Sequence, residues 1–84
     1  MIKIDFAIKP KEIIPEYVTD EYGYKYIFDE KDELHSYNDM PAIITKKGTK
    51  RWYKHGIKHR DNDLPAIIWH SGIKEYWVNG ERIK

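Results

Sequence analysis

Histidines and repeated aspartates are the residues of this sequence whose chemistry could include metal binding. The histidines are His35, His55, His59 and His70, and the aspartates are Asp39 and Asp63. His35 and His59 occupy equivalent positions of an internal repeat, so two strand spacings of about 4.8 Å would separate them by roughly 10 Å. A shared zinc ion needs nitrogens at about 2.0–2.1 Å from the metal. His55 could approach His59 across a turn, but further ligands are not evident, so we expect no metal site. We expect instead that the repeated His-X3-Asp pattern ties its loop to the next hairpin.

Groups for catalysis are equally sparse in this sequence. The chain contains no cysteine, so it has neither a thiolate nucleophile nor a disulfide framework. Ser36 and Ser71 lie in turn-like contexts without a nucleophile elbow, and no glycine-rich phosphate loop precedes a helix. Asp61 and Asp63 could serve as an acid–base pair only in a pocket that desolvates one of them, yet their turn is predicted to face solvent. We therefore expect a protein that is not an enzyme and that binds no cofactor.

Most of the chain is an internal repeat with a period of 24 residues. Residues 59–80, HRDNDLPAIIWHSGIKEYWVNG, align without a gap on residues 35–56, HSYNDMPAIITKKGTKRWYKHG. A weaker copy begins at residue 17 and aligns with a shift of 25, because one extra residue is absorbed at residues 29–34. Such periods are typical of stacked supersecondary units, about three of which are needed for stability. The 84 residues are therefore read as one domain, comprising an N-terminal strand and crossing segment (1–16), a degenerate repeat (17–34), a repeat (35–58) and a repeat with the C-terminal end (59–84).

Each repeat unit predicts strands and tight turns, and no helix. Ala-Ile-Ile favours a strand, a glycine turn at residues 47–48 or 71–72 reverses the chain, and Lys-X-aromatic-aromatic favours the returning strand. His-Gly at 55–56 or Asn-Gly at 79–80 turns the chain again, because glycine supplies the positive φ of a tight hairpin. Two strands per repeat are expected. The sequence therefore predicts an all-β fold, an antiparallel meander of tandem β-hairpin repeats.

An alternation of apolar and polar residues at 2–9 predicts a further strand, ended by Pro10. We expect this N-terminal strand to cap the meander by covering the open edge of the first unit. Residues 11–16 are expected to cross over the sheet.

The repeated pattern resembles a known family. His-Arg-Asp-Asn-Asp-Leu-Pro-Ala-Ile-Ile, followed by Ser-Gly-Ile-Lys-Glu-Tyr-Trp-Val-Asn-Gly, is similar to the variant MORN repeat, whose tandem hairpins extend one antiparallel meander. The resemblance covers residues 35–84 well, 17–34 weakly and 1–16 not at all. Proteins with such repeats include bacterial antitoxin and immunity proteins and phage and giant-virus proteins, while the original MORN class is linked to membrane attachment and scaffolding. The family implies no catalytic residue, and Thr49 and Ile73 differ where copies that held one common ligand would agree.

Charge is distributed unevenly along the chain. Residues 1–42 carry five lysines against ten Asp and Glu, whereas residues 43–84 carry ten Lys and Arg against four, within a net charge of +1. This asymmetry steers a charged partner to one end, or it reflects ordinary solvated strand faces. No apolar run approaches the length of a membrane span, and the first ten residues lack the unbroken apolar stretch of a signal peptide. We expect a cytoplasmic protein that does not attach to membranes.

Binding of a partner protein through an aromatic and charged sheet surface is the predicted function. Alternation places Trp52 and Tyr76 on one face and Tyr53 and Trp77 on the other. One aromatic face is expected to be core and the other partly exposed for recognition, unless both faces form small cores shielded by lysine stems. The predicted partner-binding residues are Trp52, Tyr53, Trp69, Tyr76, Trp77, Arg51, Lys54, Asp29, Glu30, Asp32 and Glu33.

The small size and the resemblance favour a stoichiometric inhibitor of the immunity or antitoxin type, or of phage or viral counter-defence. Its acidic loop at residues 29–33 would cover a basic surface of the partner. Function is expected where the repeats diverge, as at Arg51 against Glu75 and Thr45 against Trp69. Self-association is also open, because both sheet edges are available.

The alternative is nucleic-acid binding through the second repeat. Trp52 would form a stacking platform between Lys50 and Lys54 on one strand face. Further cations of the same repeat are Lys46, Lys47, Arg51, Lys58 and Arg60. The near-zero net charge weakens this alternative, because counterion release rewards concentrated positive charge.

Overall fold

A computed structural model describes residues 16–84 of the chain. Their ten strands are β1 (Val18–Thr19), β2 (Lys25–Tyr26), β3 (Ile43–Ile44), β4 (Lys50–Arg51), β5 (Tyr53–Lys54), β6 (Ile57–Lys58), β7 (Ile67–Ile68), β8 (Lys74–Glu75), β9 (Trp77–Val78) and β10 (Glu81–Arg82). The strand predicted at residues 2–9 and the crossing segment up to residue 15 lie outside the described residues. Within residues 16–84, no helix has the length and apolar character that a membrane crossing requires.

Six of these strands form one antiparallel sheet in the order β1-β2-β3-β4-β7-β8. Strands β5 and β6 form a separate two-stranded sheet, as do β9 and β10. The order passes from β4 to β7 because the intervening β5–β6 hairpin leaves the main sheet. The predicted all-β fold of antiparallel hairpins is confirmed.

The three hairpins of the main sheet share one register. The residues that lie opposite each other are Val18 and Tyr26 in the first hairpin, Ile43 and Arg51 in the second, and Ile67 and Glu75 in the third. These pairs are displaced by 25 and then by 24 positions, as in the sequence alignment. The extra residue lies in the loop at residues 29–33, where Phe28 bridges Leu34 in place of a β5–β6 type hairpin.

The prediction of two strands per repeat is wrong, because Trp52 interrupts the returning strand. The backbone N–H of Trp52 donates to the carbonyl of Ala66 at 2.8 Å, within the main sheet. Its carbonyl accepts from the N–H of His59 at 3.2 Å, beside the β5–β6 hairpin. Each of the two good repeats therefore consists of a sheet hairpin followed by a second hairpin of two-residue strands.

The second hairpin of each good repeat turns as the sequence predicts. His55 and Gly56 have φ values of 47° and 85°, and Asn79 and Gly80 have 51° and 85°. Positive φ at both central residues defines a type I′ turn, whose twist matches that of the flanking strands. Asparagine adopts a positive φ more readily than most residues. The earlier repeat has His55 where the later one has Asn79, so the positive φ of His55 needs a further stabilising contact.

Buried apolar side chains come from several strands and from the residues beside them. Within residues 16–84 they are Ile27, Ala42, Ile43, Trp52, Ala66 and Ile67. Ile43 and Ile67 lie on β3 and β7, the two neighbours of β4 in the main sheet. The core therefore lies around the middle of this sheet.

The buried side chain of Trp52 connects two successive repeats. Its side chain is 5% exposed, and its indole N–H donates to the carbonyl of Asp39 at 2.9 Å. The guanidinium of Arg60 lies 3.8 Å from the ring centroid and donates two hydrogen bonds of 3.0 Å to the Asp39 carboxylate. Trp52 therefore ties the loop before its own hairpin to the start of the next repeat.

We expect Trp52→Ala to lower the free energy of unfolding by about 3–5 kcal/mol, because the variant leaves a cavity and loses the Arg60 contact. Urea unfolding followed by circular dichroism measures this loss. Trp69→Ala is the matched comparison, and its effect should be smaller because the Trp69 side chain is only half-buried. Equal losses in the two variants would contradict the central position of Trp52.

Candidate binding site

An open groove of about 810 Å³ runs along the turns of the three sheet hairpins. We call it the aromatic–basic groove. Its lining residues are Asp20, Glu21, Tyr22, Tyr24, Tyr26, Thr45, Lys46, Lys47, Thr49, Arg51, Trp69 and His70. The three hairpins align in register, so equivalent positions of successive repeats stand side by side along it. The groove therefore brings Arg51, Thr45 and Trp69 together, which are positions where function is expected from the sequence because the repeats diverge.

Arg51 is the anchored cation of the aromatic–basic groove. It lies on β4 directly opposite Ile43 on one side and Ile67 on the other, and both isoleucines are buried. Its guanidinium carbon lies 5.3 Å from the ring centroid of Trp69. Its Nε is buried and has no hydrogen-bond partner within residues 16–84. The flanking side chains thus hold the stem of Arg51 while part of its donor capacity remains unused.

Trp69 is held in place by a carboxylate that it shares with another tryptophan. One oxygen of Glu75 accepts the indole N–H of Trp69 at 2.8 Å, and the other accepts that of Trp77 at 2.9 Å. These hydrogen bonds, that from Trp77 first, lower the pKa of Glu75 below its ordinary value. In the sequence, Glu75 stands out only as the counterpart of Arg51, and its role as a clamp for two tryptophans was not predicted.

The tyrosines of the groove come from the degenerate first repeat. Asp20 organises their turn, since its Oδ1 accepts the N–H groups of Tyr22 and Tyr24 at 2.9 and 3.0 Å and its Oδ2 accepts the Tyr26 hydroxyl at 3.0 Å. Although burial acts in the opposite direction, these bonds hold the pKa of Asp20 below its ordinary value. Tyr22 is 67% exposed and Tyr24 is 37% exposed.

Tyr22 and Tyr24 were not predicted from the sequence as site residues. A signal was present, because they replace the Lys47 and Thr49 of the next repeat. Departure from the repeat at a turn is therefore the feature that would have identified them.

A buried threonine fixes the turns of the second and third repeats relative to each other. Thr49 is 3% exposed, and its hydroxyl accepts the N–H of His70 at 3.0 Å. Its own N–H donates to the Thr45 hydroxyl oxygen at 3.0 Å. The groove wall at these turns is consequently bonded from one repeat to the next.

The lysines of the groove carry charge that the described residues do not neutralise. Lys46 and Lys47 are exposed, and the stem of Lys46 packs at the turn of Gly23, where an added Cβ would lie 3.7 Å from its Cγ. Within residues 16–84, Arg60 and Asp39 form an ion pair, and His55–Asp29 and His59–Asp61 are contacts that become ion pairs when the histidine is protonated. None of them involves a cation of the groove.

The other predicted aromatic residues do not join this groove. Trp52 is buried, which corrects its assignment to a partner-binding surface: its ring packs in the core under Arg60. Tyr53 and Lys54 line a smaller pocket of about 310 Å³. Tyr76 and Trp77 are half-buried near the C-terminal end, and each has a lysine over its ring, Lys84 at 4.8 Å and Lys58 at 4.2 Å respectively.

The acidic loop is only partly available to a partner. Asp29 is buried. Its Oδ1 accepts the N–H groups of Lys31 and Glu33 at 2.8 and 2.9 Å, and its Oδ2 lies 2.7 Å from Nδ1 of His55. Burial alone would raise the pKa of Asp29, but the hydrogen bonds from His55 and from these two backbone groups lower it to about 2. The assignment of Asp29 to a binding surface is therefore corrected: it holds the loop together. The predicted acidic residues that are exposed are Glu30, Asp32 and Glu33.

Asp29, His35 and His55 form a cluster whose ligand atoms lie within 4.8 Å of one another. The His55 ring lies 4.1 Å from the ring of His35, between their centroids. Nδ1 of His35 accepts the N–H of His55 at 2.9 Å, so the proton of the neutral ring is on Nε2. Burial, and secondarily the neighbouring His55, lower the pKa of His35. The cluster is thus already engaged in hydrogen bonds.

The same histidine bond recurs one repeat later, where Nδ1 of His59 accepts the N–H of Asn79 at 3.0 Å. The prediction that the repeated His-X3-Asp pattern ties its loop to a following hairpin is confirmed for both histidines. Of the aspartates in the same pattern, Asp39 makes the corresponding tie to Arg60 of the next repeat.

Comparison of the chain with protein-family models, with curated proteins and with solved structures finds no match. The residues of the groove place exposed tyrosines, a tryptophan and three cations on one surface.

Asp29 predicts an acid-sensitive fold. Its pKa of about 2 in the folded chain lies below the value of about 3.9 in an unfolded chain. The ionised carboxylate therefore stabilises the fold above about pH 4, and this contribution is lost as the pH falls from about 5 towards 2. We expect urea unfolding to show a shallower loss of stability over this interval in Asp29→Asn than in the wild type. Glu30→Gln, on the same loop but exposed, should retain the wild-type slope; equal slopes in all three proteins would contradict the role of Asp29.

Glu75→Gln tests the tryptophan clamp. The amide offers one oxygen, so one of the two indole N–H groups loses its acceptor, and Trp69 or Trp77 becomes less well held. We expect a change in tryptophan emission and stronger quenching by acrylamide, with the circular dichroism spectrum unchanged. Glu81→Gln, an exposed carboxylate on β10, is the control. Identical quenching in both variants would argue against the clamp.

Proposed function

We propose that this chain is a non-catalytic module that binds a partner protein through the aromatic–basic groove. The observation that carries the proposal is the set of residues that line the groove. Arg51, Trp69, Lys46 and Lys47 all stand where the two good repeats differ in sequence, and the groove brings them together.

The composition of the groove supports a protein partner. Tyrosine, tryptophan and arginine are the residues most enriched where binding energy concentrates in protein interfaces. Tyr22 and Tyr24 expose large side chains beside Trp69 and Arg51. An exposed aromatic surface that is flanked by cations is more often a recognition site than an ordinary solvated face.

The role of the complex is proposed by resemblance to the variant MORN repeat. We infer a small stoichiometric inhibitor of the immunity, antitoxin or viral counter-defence type, acting in the cytoplasm. The exposed acidic residues Glu30, Asp32 and Glu33 would provide a second contact, against a basic surface of the partner.

Nucleic-acid binding by the second repeat has less support. Trp52, the predicted stacking platform, is buried under Arg60, so a base cannot stack on its ring. Lysines at 50 and 54 are exposed, but without this ring they provide charge alone.

Affinity capture tests the proposal with variants that separate the two faces of the sheet. The full chain would be immobilised and exposed to nuclease-treated extract of its source cells. We expect one protein to be captured stoichiometrically by the wild type and to be lost with Lys46→Glu/Lys47→Glu and with Trp69→Ala. The matched control is Lys50→Glu/Lys74→Glu. Both lysines are exposed, and each directly precedes a residue of the cross-strand row Arg51–Ile67–Glu75, so their side chains lie on the opposite face of the sheet.

Circular dichroism would establish that each variant folds. Equal capture by the groove variants and the control variant would contradict the proposed surface. Capture that occurs from an untreated extract but not from the nuclease-treated one would instead support nucleic acid as the partner.

A further inference from the structure

We infer that the aromatic–basic groove recognises an acidic segment of its partner protein and that Arg51 is the residue that binds a carboxylate of that segment. The inference rests on the proposed function and specifies the chemistry of the partner. It is drawn from the position of Arg51, from the engagement of the acids around it and from the charge balance of the chain.

The position of Arg51 suits it to bind a carboxylate from the groove. Its stem is held between Ile43 and Ile67, and its guanidinium lies against Trp69. A planar guanidinium donates in parallel to the two oxygens of a carboxylate, a geometry that lysine cannot reproduce. The buried Nε has no acceptor among residues 16–84, so no described side chain competes for this guanidinium. A ligand carboxylate would accept from the terminal nitrogens of the guanidinium, because Arg51 lines the groove.

Two acids, one in the groove and one in the cross-strand row of Arg51, are already engaged. Asp20 accepts three hydrogen bonds within its own turn and from Tyr26. Glu75, which shares the cross-strand row of Arg51, accepts the indole N–H groups of Trp69 and Trp77. Neither forms an ion pair within residues 16–84, so the positive charge of Arg51, Lys46 and Lys47 faces the groove without a described counter-ion.

Charge favours an acidic polypeptide over a nucleic acid as the occupant. Residues 16–84 carry equal numbers of basic and acidic side chains, and Glu21 lines the groove itself. A regular phosphate backbone would meet this carboxylate as well as the cations, and the gain from counterion release would be small. A peptide can place its few carboxylates at Arg51 and the lysines while its apolar side chains contact Tyr22 and Tyr24.

Selection from a random dodecapeptide library displayed on phage tests the inference even while the partner is unidentified. The immobilised full chain should enrich peptides that combine Asp or Glu with apolar or aromatic residues. Synthetic copies of these peptides should bind Arg51→Gln at least about tenfold more weakly than the wild type. Lys46→Gln/Lys47→Gln, which changes only exposed side chains, should also weaken binding, and Lys50→Gln/Lys74→Gln on the opposite face should not.

Nuclear magnetic resonance of the 15N-labelled chain provides a readout specific to the arginine. The buried Nε–H of Arg51 should give a side-chain signal that shifts when the acidic peptide is added. The signal should not shift with a copy of the peptide in which Asp and Glu are replaced by Asn and Gln. Arg51→Lys should retain the charge but lose most of the affinity.

The inference is overturned if the selected peptides lack carboxylates, if they bind Arg51→Gln as tightly as the wild type, or if no peptide is enriched. It is also overturned if a dT12 oligonucleotide competes for the groove more effectively than the selected peptides at physiological salt. Capture of a partner by the groove together with carboxylate-free peptides would retain the proposed function and reject the acidic ligand. Failure of the capture experiment itself would reject the proposed function.

Discussion

The packing of Trp52 is the interaction on which the rest of this structure depends. Its backbone joins the main sheet to the β5–β6 hairpin, its indole bonds the loop that precedes its own hairpin, and Arg60 of the next repeat covers its ring. A cation again lies over the equivalent aromatic ring 24 positions later, where Lys84 covers Tyr76. Because strands of two residues make few ladder bonds, side-chain ties of this kind have to hold the hairpins in register.

Backbone bonds to histidine complete the scaffold. In each good repeat a histidine Nδ1 accepts the N–H of the residue that opens the type I′ turn. That residue is Asn79 in one repeat and His55 in the other, and only His55 also reaches a buried carboxylate, Asp29 of the degenerate repeat. The additional contact explains how a histidine is stabilised in a conformation that favours asparagine. It also connects the divergent first unit to the second.

The proposed recognition surface contains side chains that differ between the repeats. Hairpins in common register place equivalent positions side by side, so any position that varies between repeats contributes a different side chain to the same surface. Arg51, Trp69 and the tyrosines of the first repeat meet in the groove for this reason. Glu75 occupies the row of Arg51 but is engaged by two indoles, which leaves the arginine as the charged group of that row within reach of a ligand.

The sequence by itself determined the all-β hairpin architecture, its period of 24, the glycine turns and the loop that absorbs the extra residue of the first unit, because these depend on local backbone preferences and on repetition. It also indicated Arg51, Thr45 and Trp69 through their divergence. Only the tertiary structure decided that Trp52 and Asp29 are buried, that His55 meets His35, and that Tyr22 and Tyr24 belong to the same groove as Arg51. Alternation along a strand predicts the two faces of a sheet, but not which of them packs, because burial depends on contacts between distant residues. A strand interrupted at Trp52 changes those contacts without any local signal in the sequence.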